Sequence, residues 1–180
     1  STTPSTDGTA SPDGSATSPL QVAIEHVAQN ATVFKQQEAQ RQQTEKDLHI
    51  ELVLTPQRLA SSEGIAQSRA SVVQYRNLML ERKTALKTFE DQNQAYFLQL
   101  PQPMQDEALR GFLKSRIASD QAFDQYYDVE NSAMDTFDQI LDVAQKALGR
   151  SRLDPSGKLL LPEPMHTQMM GLVQTLQQEM

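Results

Sequence analysis

Residues 65–100, IAQSRASVVQYRNLMLERKTALKTFEDQNQAYFLQL, and 104–148, MQDEALRGFLKSRIASDQAFDQYYDVENSAMDTFDQILDVAQKAL, decide the fold of this chain. In the first segment Ile65, Ser68, Val72, Tyr75, Met79, Arg82, Leu86, Phe89, Asn93, Tyr96 and Leu100 recur at alternating spacings of three and four. The second keeps the rhythm through Leu113, Arg116, Asp120, Phe123, Tyr127, Glu130, Met134, Phe137, Leu141, Ala144 and Leu148. That is the period of an apolar helical seam. Pro101 and Pro103 separate the two segments, and a residue before proline is pushed out of the helical region. The expectation is a long antiparallel hairpin over residues 65–148.

Charges beside the seams suggest how the two helices align. Arg69, Arg76 and Lys83 lie seven apart, as do Asp124, Asn131 and Asp138. One register sets Lys83 by Asp124, Arg76 by Asn131 and Arg69 by Asp138. Exposed pairs of this kind contribute only ~0.2–1 kcal/mol each, so they choose the register while apolar burial holds the fold. The polar seam residues are expected to pair across the hairpin, Arg82 with Asp120 and Glu130, and Asn93 with Arg116.

Around the hairpin, Ser18 caps a helix with Pro19 at its first position, and Leu20, Ile24, Val27, Ala31 and Phe34 give it an apolar face. From Lys35 to Asp47 that face gives way to Gln, Glu, Arg and Lys, which suggests a solvated projection or a frayed end. Ile50, Leu52 and Leu54 alternate with polar residues as in a short strand. Thr55-Pro56 opens a brief helix, Asp154-Pro155-Ser156-Gly157 is a turn, and Lys158 to Leu161, too short for a helix, is expected to extend beside residues 50–54 as a two-stranded ribbon. A last helix covers the hairpin from Pro162 to Met180. The expected architecture is all-α: an elongated four-helix bundle of one domain, residues 20–180, behind a tether of residues 1–19.

That tether is Ser, Thr, Pro, Gly, Asp and Ala without an aromatic or branched aliphatic residue. With nothing to bury it cannot offset the entropy of ordering. The tract resembles the region just after the lipidated Cys of a bacterial lipoprotein. Parts of residues 49–100 and 157–180 are also similar to helical lipoproteins of unknown function from proteobacteria, in the order Leu54-Thr55-Pro56, long helix, Gly157-x-Leu159-x-Leu161-Pro162, final helix. The resemblance implies a periplasmic protein, held to a membrane only through an N-terminal lipid anchor lost from this chain.

Composition narrows the classes of function. A formal charge of −7 and a pI near 4.9 argue against nucleic acid and for either bland solubility or a basic protein partner. There is no cysteine, and no apolar run reaches the ~20 residues of a membrane span. His26, His49 and His166 lack metal-ligand spacing, and phosphate-loop and nucleophile-elbow signatures are missing. No cofactor or metal is expected, and no enzymatic activity. The row Asp124, Asp128, Asn131, Asp135, Asp138 and Asp142 marks one face of the second long helix. With three of these assigned to the hairpin register, Asp128, Asp135 and Asp142 are expected to keep their charge free, as a solvated face or an electrostatic docking strip. Calcium fits less well, because one carboxylate per turn does not wrap an ion. Met169 and Met170 cannot both face inward, which makes Met170 the fourth candidate partner contact. The leading expectation is an immunity-type protein that neutralises a secreted antibacterial effector. A structural or self-assembling envelope lipoprotein, using Gln36 to Gln43 as a spacer arm, is the alternative, and a hydrolase built on acidic residues the third.

Overall fold

The computed structural model describes residues 18–179; residues 1–17, most of the expected tether, lie outside it. Five helices occur in the described residues, α1 (Pro19–Asp47), α2 (Pro56–Leu59), α3 (Ser62–Leu98), α4 (Met104–Lys146) and α5 (Met165–Glu179), with a 3-10 turn at Ile50–Leu52 and strands β1 (Arg152–Leu153) and β2 (Leu159–Leu160). The all-α bundle on a long antiparallel hairpin is the observed fold. Helix boundaries follow local chemistry. The Ser18 side chain accepts a hydrogen bond from the Gln21 N–H with Pro19 behind it, and Ser61 does the same for Gly64 at the start of α3.

The core lies at the open base of the hairpin. There Ile65, Val72, Tyr75 and Met79 of α3 meet Met134, Phe137, Ile140, Leu141 and Ala144 of α4, sealed by Val53, Leu59, Met169 and Leu176. Ser68 donates to the Val53 carbonyl at 2.7 Å, which pins the 3-10 turn to α3. Gly64 allows α2 to sit on α3, since a Cβ there would lie 2.3 Å from the Arg58 carbonyl oxygen. Toward the proline turn the same seams are buried less completely: Phe123, Tyr127 and Glu130 are half-exposed and Leu113 is exposed. At that end α1 lies antiparallel along α3, with His26 stacked on Tyr96 and Phe34 on Phe89 at 4.4 and 4.7 Å between centroids. Among the described residues the tip therefore has three helices where the base has four.

Three local expectations are corrected. Ile50–Leu52 is a helical turn, and the ribbon instead pairs Arg152 with Leu160 and Leu153 with Leu159. The ribbon closes through the Asp154 side chain, which accepts from the Ser156 and Lys158 N–H groups at 2.9 Å. A local hairpin with that turn costs less chain entropy than a strand pair a hundred residues apart. Ile24 is exposed, because α1 is rotated to present Ala23, His26, Asn30 and Phe34 to the hairpin. Residues 35–47 are not a projection: α1 continues as a helix, and its polar half is docked on α3 through Arg82.

Candidate functional site

Arg82 organises the site. Its residue is only 7% exposed, and its guanidinium reaches away from α4 to two carboxylates of α1, Glu38 at 3.0 Å and Glu45 at 2.8 Å. Burial alone would lower its pKa, but hydrogen bonding and charge from Glu45, with Glu38, hold it above its ordinary value. Glu38 is also bonded by Arg41, at 3.0 Å, and Asn93 is met by Asn30 of α1 rather than by Arg116. The expected pairings of Arg82 with Asp120 and Glu130, and of Asn93 with Arg116, are thus replaced. Arg82 is satisfied by the polar half of α1, whose Glu38, Gln42 and Glu45 repeat at helical spacing, and Asn93 by Asn30 in its first half. That repeat was the signal available in the sequence.

With α1 drawn onto α3, a groove remains between α1 and α4. It comprises two adjoining cavities of about 350 and 710 Å³ that share Gln42 and Glu45. Phe34, Leu86, Phe123 and Tyr126 line the smaller one. Tyr75, Val129, Ala133, Met134 and Phe137 line the larger one, which Glu179 closes at the end of α5. The Tyr75 hydroxyl donates to Glu130 at 2.6 Å, and Thr136 donates to Glu179 at 3.0 Å. Both donors are neutral, so neither carboxylate is paired with a cation through these bonds. Burial pushes the Tyr75 and Tyr126 hydroxyls up, with Glu130 adding to both shifts, so each stays protonated.

A second cleft of about 240 Å³ lies between α3 and α4 nearer the tip. Glu90 is 5% exposed there, and neither carboxylate oxygen has a hydrogen bond of good geometry, though Arg116 Nε stands 3.2 Å from Oε2. Burial, then the neighbouring Asp120 carboxyl, pushes its pKa up to about 7. Asp120 turns toward Arg116 at 3.8 Å, which also binds Asp91 at 2.7 Å.

The expected docking residues are dispersed. Arg69 binds Asp142 at 2.7 Å and Arg76 binds Asp135 at 2.7 Å and Asp138 at 3.1 Å. The expected pairing of Arg76 with Asn131 is also present, with the guanidinium donating to Asn131 Oδ1 at 3.5 Å. The Lys83 ammonium lies 4.8 Å from the Tyr127 ring centre and forms no ion pair with Asp124 among the described residues. Arg69 thus pairs four residues, about one helical turn, further along α4 than the charge pattern suggested. The expectation that Asp135 and Asp142 keep their charge free is therefore corrected: both remain exposed, yet each is bonded to an arginine. Asp128 is exposed and has no ion pair among the described residues. Met169 is buried at 8% and Met170 exposed at 50%, as their adjacency requires.

His26 is committed to Tyr96, His49 bonds Glu51 at 2.9 Å, and no trio of metal-ligating side chains gathers among the described residues. No helix of the described residues is long and apolar enough to cross a membrane. Comparison with protein-family models, curated proteins and solved structures finds no match to this chain.

Proposed function

We propose that this chain is a non-catalytic binding protein of the periplasm, tethered as a lipoprotein, which neutralises a secreted antibacterial effector by covering a basic surface of it. The observation that supports the reading is the groove between α1 and α4, apolar in its floor and edged by carboxylates on both sides. Such a surface gives a cationic protein apolar area to bury and charge to steer its approach. The docking of α1 on α3 through Arg82 speaks against its use as a free self-assembly arm.

The test is capture from an envelope extract, followed by growth of cells exposed to the captured effector with and without this protein. One stoichiometric basic partner, released by salt and made harmless by the protein, is the expected result. Self-association alone, or a partner whose toxicity is unchanged, overturns the reading.

A further inference from the structure

We infer that the groove takes an amphipathic basic helix of about four turns from a protein partner, seated between α1 and α4. This deepens the binding role proposed above and rests on it.

The placement of α5 sets one end of the groove. Met165 lies near Arg150 and Glu179 near Thr136, so α5 runs antiparallel along the base of α4 and its last described turn lies where the groove begins. From there the groove continues along α4 from Phe137 to Phe123, a stretch of ~21 Å at ~1.5 Å per residue. A helix of four turns has that length.

The lining fixes its chemistry. Tyr126, Val129, Ala133 and Phe137 follow one another at three, four and four residues and form a strip on α4, in which Tyr126 and Val129 are exposed while Ala133 and Phe137 are buried at the groove floor. Glu38 and Glu45 edge the strip from α1 but are bonded to Arg82, whereas Glu51, Glu130 and Glu179 line it without an arginine partner, so five carboxylates against Arg82 and Lys46 leave the groove net negative. An apolar stripe with Lys or Arg on both flanks is the complement of such a surface. The negative end of the α5 dipole adds to the preference for cations. An extended peptide would need a strand edge to pair with, and the walls are helices whose backbone groups are already bonded.

Occupants from this chain fit poorly. Residues 1–17 contain no Lys, Arg, aromatic or branched aliphatic residue and carry Asp7 and Asp13, so they offer nothing to the floor and repel the edges. A second copy brings another charge of −7, and Arg69, Arg76 and Arg82 are already bound to carboxylates.

The test is titration of the isotope-labelled protein with a designed Leu/Lys helical peptide of roughly 18 residues, compared with a scrambled peptide of the same composition and a Leu/Glu helix. Saturable one-to-one binding that shifts the amides of residues 34–45 and 123–137, at least about tenfold tighter than the scrambled peptide, is expected. Val129→Lys, at an exposed position, leaves the rest of the spectrum in place and weakens binding about tenfold or more. No saturable binding overturns the inference. So does equal binding of the scrambled peptide with shifts centred on Asp128, Asp135 and Asp142, which would leave an acidic docking face and the binding role intact. Sedimentation that reveals a dimer abolished by Val129→Lys overturns it in favour of a second copy.

Discussion

Replacing Arg82 by Met removes one cation from between two helices and leaves Glu38 and Glu45 facing a thioether. Breaking a buried ion pair by deleting one partner costs ~3–5 kcal/mol. Here the side chains of Glu38 and Glu45 are 30% and 35% exposed, so water partly re-solvates them, and Met retains the packing of the arginine stem. Screening of this kind brings the expectation to about 2 kcal/mol. For a chain of this size that lowers the Tm by about 4–8 °C. Urea denaturation measures the total, and hydrogen exchange locates it: amides of residues 35–47 lose protection while those of Leu141 and Ala144 keep theirs relative to global unfolding. Glu38→Gln and Glu45→Gln added to Arg82→Met should recover part of the loss, since no unpaired charge then remains. A change within about 0.5 kcal/mol, unaltered protection in α1, or no recovery in the triple variant would refute the assignment of Arg82 as the anchor of α1.

Glu90 ties stability to pH. Its folded-state pKa is raised from 4.5 to about 7, so the native state binds the extra proton and stability falls as pH rises from about 4.5 to 7. Glu90→Gln should be the more stable protein at pH 8, by up to about 3 kcal/mol, with the gap closed at pH 4; equal denaturation midpoints at pH 8 contradict this. The two adjacent methionines should separate cleanly: Met169→Ala costs about 2–4 kcal/mol and Met170→Ala less than about 0.5, read by chemical denaturation. Gly64→Ala pushes a methyl against the Arg58 backbone and is expected to destabilise by about 1–3 kcal/mol, whereas Gly111→Ala, whose Cβ meets open space, stabilises α4 slightly. Asp142→Asn should weaken the fold by less than about 1 kcal/mol, and only at low salt.

The sequence by itself determined the hairpin, because a three-and-four apolar rhythm interrupted by two prolines leaves few other ways to bury its seam. It also determined the Ser18 cap, the Asp154 turn and the division of labour between Met169 and Met170, all set within a few residues of chain. It could not determine the register, since charges repeated every seven residues pair almost as well one turn away, with differences of ~0.2–1 kcal/mol per pair. Only the tertiary structure decided that Arg82 and Asn93 turn to α1, and this rests on contacts across 37 to 63 residues of chain. The groove has the same origin: α1 is drawn onto α3 through Arg82, and the last described turn of α5 lies beside Thr136, so the face of α4 between Phe123 and Phe137 is left open toward α1 among the described residues.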